Sequence, residues 1–290
     1  MRRRSALTGG EPTGVSGSYL EEVGEATAAG EVAAIYEEIR TTTGVPFVSL
    51  LYRHLAVEPD VLERAWAAVA PVLCSPDGRS AAAELARVES PDVVALPASA
   101  LAVVGVDAGE FDAINATLDA YVRANSGNLL ASHILLGRPR STRVKQPRPS
   151  APSDRRPVAE SGILPMHDLR DLEAPTVALL EEIGVYLGGG AGPLIVPSLW
   201  RHFGHRPPLI ALLWTSMRPS VLDGSVDRHV DALVRRADLV AREFARSETS
   251  DGRTADRVRP FLATIPRMLV CVAMMRSALR EGAQLRAGAT

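Results

Sequence analysis

An all-α protein built from two tandem helical repeats, paired as an intramolecular pseudo-dimer, is what this 290-residue sequence predicts. The first observation is a long internal repeat. Residues 30–73 align with 174–222, and Tyr52-Arg53-His54-Leu55 falls on Trp200-Arg201-His202-Phe203 at a shift of 148. The same shift pairs Gly44 with Gly192, Leu51 with Leu199, Pro59 with Pro207, Trp66 with Trp214 and Pro71 with Pro219. Upstream, Glu37-Glu38-Ile39 falls on Glu181-Glu182-Ile183 at a shift of 144, so the second copy carries about four extra residues. Residues 121–136 match 261–276 at a shift of 140, mainly in apolar pattern. The second observation is helical periodicity of apolar residues in both halves. The third is the shortage of strand-like runs, which are confined to 45–51 and 194–196 at helix starts. A supersecondary unit present twice dictates the architecture, and the cleft between two such units is a common place for a ligand.

Taken in order, residues 1–20 hold Gly, Ser, Thr and Pro without a period and read as a mobile tail. Repeat 1 covers 21–137. Its first helix is expected from about 21 to 43, with Val32, Ile35, Tyr36 and Ile39 as the apolar stripe and Gly44 as the stop. Pro46 opens a short helix reaching Ala56. Pro59 and Asp60 start a third, because the missing N–H of proline is harmless in a first turn. Asp107 and Glu110 fit an acidic capping box ahead of a long helix to about residue 136. Residues 138–162 form a Pro/Arg-rich linker. Seven Arg/Lys stand against one Asp between 138 and 156, but no aromatics interleave to stack on bases, so the segment reads as a solvated connector. Repeat 2 covers 163–290, with long helices expected at about 225–247 and 254–285.

Composition excludes several classes. Apolar residues at 46% and charged residues at 23% describe an ordinary globular chain. A net charge of −2 gives no global attraction to nucleic acid or an anionic membrane. No apolar run reaches about 18 residues and no signal-peptide h-region follows the basic start, so no membrane span and a cytoplasmic location are expected. Cys74 and Cys271 stand in apolar helical surroundings and read as buried thiols.

Few residues offer chemistry. The glycine-rich segment 188–192 lacks the Gly-Lys-Ser/Thr ending of a phosphate loop and reads as an insertion. His202 and His205 have metal-compatible spacing, but no Cys/His/Asp cluster completes a set of three or four ligands, so no metal is expected. Ser198, at a helix start, either caps that helix or bonds a ligand. Asn125-Ser-Gly-Asn128 is a polar stretch inside an apolar helix. Each interior Asn is unfavourable by up to roughly 0.7 kcal/mol, so the stretch is expected to mark a kink, either a solvated hinge or the floor of a site. Ile265-Pro-Arg-Met268 is expected to disrupt the second copy similarly.

The Gly-Glu-Val-Ala-Ala-Ile-Tyr-Glu-Glu-Ile-Arg run at 30–40, Val45-Pro46-Phe47-Val48, Arg53 with Leu55-Ala56, Trp66, the Asn125 segment and Ser198-Leu199-Trp200 together resemble the group I 2-haloacid dehalogenase family. The resemblance covers most of residues 25–285. It implies all-α pseudo-dimers that pair into homodimers and need neither cofactor nor metal. It also implies an aspartate in the second repeat that activates water to displace halide from the α-carbon of a 2-haloacid. Carried over by position, an aromatic pocket residue falls on Phe47, a pocket phenylalanine on Leu50, a pocket asparagine on Asn125 and a serine on Ser198. A tyrosine falls on Asn128 and the catalytic aspartate on Leu199, which are departures. No Asp or Glu lies between Glu182 and Asp223 to replace it. The expectation is a cofactor-independent enzyme, hydrolase-like or a biosynthetic lyase or cyclase, acting on a small, partly apolar metabolite such as a carboxylate. Asn125 and Ser198 are the candidate catalytic residues. Phe47, Leu50, Asn128, Leu199, Trp200 and Trp214 are the candidate walls. The alternative is a non-catalytic binding protein on the same scaffold.

Overall fold

A computed structural model describes residues 19–137, 162–187, 194–244 and 251–287. The N-terminal tail up to residue 18, most of the linker and the 188–192 glycines lie outside the described residues. The helices are α1 (Gly30–Thr43), α2 (Leu50–Leu55), α3 (Pro59–Cys74), α4 (Pro76–Leu85), α5 (Ala98–Val103) and α6 (Ala108–Leu136), then α7 (Ala174–Leu187), α8 (Ser198–Arg201), α9 (Pro207–Leu222), α10 (Ser225–Ala241), α11 (Gly252–Val258), α12 (Phe261–Ala278) and α13 (Gln284–Ala287). The fold is all-α. Among the described residues the one strand-like feature is an isolated parallel bridge between Tyr19 and Leu194.

α1 begins nine residues later than its periodicity predicts. Residues 21–29 run extended around a 3-10 turn, Glu25–Thr27, because tertiary bonds claim them. Val23 N–H donates to the Arg53 carbonyl at 3.0 Å, and Glu22 and Glu25 face the Arg53 guanidinium. The second half repeats this entry. A 3-10 turn spans Leu169–Asp171, His167 N–H donates to the Arg201 carbonyl at 3.3 Å, and His202 bonds the Leu164 carbonyl as His54 bonds that of Glu21. Both repeat tryptophans donate to the matching glutamate, Trp66 to Glu38 at 2.9 Å and Trp214 to Glu182 at 3.1 Å. α3 and α9 each have 16 residues and an internal proline. These recurrences carry the internal correspondence upstream of residue 30.

Each of the two large cores draws on both halves of the sequence. The first joins α1 to α4 with Leu129, Leu130 and Ile134 of α6, Leu233 and Ala237 of α10, and Phe261 and Ile265 of α12. The second joins α7 to α9 with Phe111, Ile114, Leu118 and Tyr121 of α6 and with Met268 to Ala278 of α12. α6 and α12 are therefore struts that pass from one core to the other.

Several expectations change. α6 runs unbroken through Asn125-Ser-Gly-Asn128, and α12 runs through Pro266. Packing on both sides holds α6 helical against the modest intrinsic penalty of the Asn residues. The stretch is also no solvated hinge, since Asn125, Ser126 and Asn128 are buried. Asp107 caps α6 by accepting the Glu110 N–H at 2.8 Å, but the Glu110 carboxylate turns away to His205 at 2.7 Å, so the capping box is half formed. α10 stops at Ala241, followed by a 3-10 turn, Arg242–Phe244. The expected last helix is split at residues 259–260 into α11 and α12. Cys74 is exposed at the end of α3 rather than buried, whereas Cys271 is buried and its thiol is pushed up to about 12 by desolvation. Counted through that split, Gly252–Ala278 is long and apolar enough to cross a membrane by length and composition; 67% of its apolar window is buried inside the protein.

Gly184 shows how tightly α7 packs on residues 194–195. A Cβ there would sit 2.9 Å from the Ile195 carbonyl oxygen and 3.3 Å from Leu194 Cδ1. Gly184→Ala should therefore lower stability by about 1 kcal/mol despite the better helix propensity of alanine, read as a lower urea midpoint at unchanged slope.

Candidate functional site

Where the two cores meet lies a cavity of about 410 Å³, within the usual range for small-molecule sites. α6 contributes Tyr121, Asn125 and Asn128, which share one helix face through their i, i+4, i+7 spacing. α12 contributes Phe261, Thr264, Ile265 and Met268 on the same logic. The remaining wall comes from Glu25, from 46–51 with Arg53, from 163–166, and from Ile195, Pro197, Ser198, Leu199 and His202. The polar run of α6 is thus explained by position. It is where the strut leaves one core and faces the cavity before entering the other.

One end of the cavity is charged. Arg53 is 3% exposed, and an arginine so deeply buried must be paired. Its Nε lies 2.7 Å from Glu22 Oε2, its Nη1 4.0 Å from Glu25 Oε1, and its Nη2 donates to Ser198 Oγ at 3.0 Å. Arg201 Nη1 approaches Glu22 at 3.5 Å, and its Nε donates to the His167 carbonyl at 2.9 Å. Arg40 Nη1 holds Glu25 Oε2 at 2.8 Å, while Glu25 Oε1 accepts the Val48 N–H at 2.9 Å. Arg40 Nη2 also holds Glu37 Oε2 at 2.7 Å, so three guanidiniums meet three carboxylates and the cluster balances, with Arg53 Nη2 as its donor toward Ser198. A low-dielectric wall strengthens the pull of that guanidinium donor on an anion.

Next to the charge sits an aromatic group. Phe47 stacks on Tyr121 at 4.8 Å, and His202 stands edge-on to Tyr121 at 5.4 Å and tilted to Phe47 at 6.1 Å. Burial pushes the Tyr121 phenol well above its ordinary range, against smaller opposing effects of Arg53, Arg201 and a hydrogen bond with Ser198. Burial also drives His202 down to about 4, with Arg201, Arg53 and His167 acting in the same direction and the Leu164 carbonyl opposing. Asn128 Nδ2 reaches Asn125 Oδ1 only at 3.5 Å, a weak bond that leaves both amides free to turn to a ligand.

Of the residues singled out in the sequence, Phe47, Leu50, Asn125, Asn128, Ser198 and Leu199 come together in the cavity wall. Trp200 and Trp214 do not. They pack edge-on to each other at 6.4 Å in the second core, with Trp200 fully buried, since on a helical turn Trp200 faces away from the side that carries Ser198 and His202. Ser198 does not cap α8. It is the first helical residue, Pro197 holds the cap position, and the Ser198 hydroxyl is spent on Arg53. His202 and His205 serve different partners, the Leu164 carbonyl and Glu110, and among the described residues no group of three possible metal ligands forms. Sequence reasoning missed Glu25, Arg53, Tyr121 and His202 as wall residues. The available signal was an arginine inside the apolar Leu51-Tyr-Arg-His-Leu55 run, which cannot be buried without acidic partners.

No family profile matches the chain. A configuration-inverting 2-haloacid dehalogenase from Alcaligenes xylosoxydans xylosoxydans is 31% identical over 115 residues, which span 39% of this chain and 39% of that protein. The matched stretch is thus about two fifths of the relative's length. A crystal structure of a D-2-haloacid dehalogenase mutant superposes with a TM-score of 0.71 at 17% identity, covering 94% of this chain and 99% of that one. A complex of D-2-haloacid dehalogenase with L-LA gives 0.68 at 17% identity over 94% and 99% of the two chains. The chain is therefore built on the all-α D-2-haloacid dehalogenase fold, and curated and structural neighbours together indicate a 2-haloacid dehalogenase relationship.

Proposed function

We propose that this chain is a cofactor-independent enzyme that binds a small, partly apolar carboxylate in the cavity between its two helical units. Its chemistry departs from the aspartate-driven dehalogenation that the resemblance implies. The observation that carries this reading is the buried Arg53 guanidinium in the wall of a largely apolar cavity, where its Nη2 meets Ser198 Oγ at 3.0 Å. A carboxylate placed there gains a charge-assisted bond from Arg53. Its alkyl part falls against Phe47, Leu50, Leu199, Ile265 and Met268, and the Asn125 and Asn128 amides orient the polar substituent.

Chloride release from racemic 2-chloropropionate is the direct test. Asn125→Ala and Ser198→Ala should each lower kcat/KM by about 10-fold or more, since each removes a positioned polar contact. Turnover unaffected by both changes would remove the cavity from the reaction. A second reading, non-catalytic binding, is favoured by Leu199, a side chain with no proton acceptor at the place where the resemblance puts the catalytic aspartate. It requires thermal stabilisation by small carboxylates through mass action, with no product after long incubation.

A further inference from the structure

With leucine at position 199, the cavity needs another proton acceptor, and Glu25 is poorly suited. Oε2 is held by Arg40 at 2.8 Å and Oε1 by the Val48 N–H at 2.9 Å, so both oxygens are occupied by donors that favour the ionised form. The Tyr121 phenol is neutral. Ser198 accepts from Arg53, and the Asn125 and Asn128 amides are not bases. Among the described lining residues this leaves His202.

We propose that His202 Nε2 is the general base of the cavity, taking the proton of a water molecule as that water attacks the substrate carbon; this rests on the reading of the chain as an enzyme acting on a small carboxylate. A carbonyl oxygen accepts only, so the 2.5 Å contact with Leu164 O makes Nδ1 the N–H donor and fixes the lone pair on Nε2. Nε2 has no protein hydrogen-bond partner among the described residues, and the imidazole is part of the cavity wall beside the Phe47–Tyr121 stack. The Leu164 bond and the aromatic stack hold the ring, as a base must be held for proton transfer in a fixed geometry. His202 lies three and four residues after Leu199 and Ser198, one helical turn away on the same face. It therefore addresses the same part of the cavity as position 199.

For a 2-haloacid, the water oxygen forms the new bond to the α-carbon while the carbon–halogen bond breaks. The halide leaves with the electron pair, and the water proton moves to Nε2 and then to solvent. The groups facing the imidazole are Arg201 on its own turn, Arg53 from α2, the neutral Tyr121 phenol from α6, His167 from the segment ahead of α7 and the Leu164 carbonyl. The two guanidiniums and burial hold the empty-site imidazole neutral at physiological pH, hence unprotonated and ready. A bound carboxylate offsets the guanidinium charge and raises the proton affinity of Nε2. The base is thereby strengthened by the substrate it serves. The equivalent His54 makes the same kind of bond, to Glu21 O at 2.7 Å, but is not part of the wall.

The experiment compares wild type, His202→Asn, His202→Gln and His54→Asn with racemic 2-chloropropionate. Both His202 variants should lose at least about 100-fold in kcat/KM, while thermal-shift affinity for 2-chloropropionate stays within about threefold. Wild-type kcat/KM should climb to a plateau as pH rises through about 4, with the limb in kcat displaced to higher pH, and the variants should lack that limb. His54→Asn should keep chloride release at temperatures where it is folded. A folded His202→Asn or His202→Gln that releases chloride within threefold of wild type overturns the base and leaves the enzyme reading standing. Absence of chloride release from wild type overturns both, and ligand-induced stabilisation then distinguishes a carboxylate-binding protein from an empty scaffold.

Discussion

Arg53→Met should be the most damaging single substitution on both stability and ligand binding. A buried ion pair broken on one side typically costs 3–5 kcal/mol, because the remaining charge is left without compensation. Here Glu22 and Glu25 are about a quarter exposed and partly rehydrate, so the expected loss is about 3 kcal/mol, the lower end of that range. Against a typical total of about 5–15 kcal/mol, that is a large fraction. Urea unfolding of wild type and variant measures it. The same change removes the charge-assisted contact to a carboxylate, so the thermal shift produced by 2-chloropropionate should vanish. Arg53→Lys keeps the charge but has a single ammonium where Arg53 spreads three nitrogens over Glu22, Glu25 and Ser198. It should recover part of the stability and little of the binding. A folded Arg53→Met with an undiminished thermal shift would place the carboxylate elsewhere.

Acidification should weaken the fold well before the carboxylates titrate. The buried His202 imidazole protonates at about 4 in the folded protein, against an ordinary value of 6.5. A depressed histidine contributes stability that is complete above its unfolded value and is lost as pH falls from there toward its folded value. The window is therefore pH 6.5 to about 4, and the full loss is roughly 3 kcal/mol. His54 is lowered too, mainly by burial, and adds to the same trend. The depressed carboxylates Asp168, Asp223 and Asp251 lose their contributions only below their ordinary value of 3.8, so they do not mask it. Urea midpoints at pH 7.0, 5.5 and 4.5 should fall monotonically. Saturating 2-chloropropionate should flatten the fall, because an anion beside the imidazole makes protonation cheaper in the folded state. A flat, ligand-independent profile across this window would show that His202 is not held in a desolvated, cation-flanked site.

The helices were legible because their causes are local. Val32, Ile35, Tyr36 and Ile39 recur at the helical period, Gly44 takes the left-handed φ of 65° that ends α1, and prolines open α3, α4 and α9. The repeat was legible for the same reason, and the twin Trp–Glu bonds follow from aligned pairs in the sequence. Where the sequence misled, a non-local bond had overruled local preference. Residues 21–29 stay extended to meet Arg53, and α6 stays helical through two asparagines because cores grip it on both sides. Part of the site followed from position-by-position resemblance, as with Phe47, Asn125 and Ser198. Its charged and basic groups did not, because nothing near Arg53 in the sequence announces Ser198, 145 residues away, and nothing near His202 announces Leu164 or Phe47.

By itself, then, the sequence determined an all-α chain, the pairing of like residues between its halves and the absence of Asp and Glu from 183–222, since all three are matters of residue type and spacing. Only the tertiary structure decided that Trp200 and Trp214 belong to a core, that Arg53 and Ser198 meet at the polar end of the cavity, and that His202, held by the Leu164 carbonyl, is part of its wall. The physical reason is that burial, tautomer and proton affinity depend on what packs around a group. Here those neighbours come from α2, α6 and α8 and from the segment ahead of α7, elements far apart in the chain and adjacent only after folding.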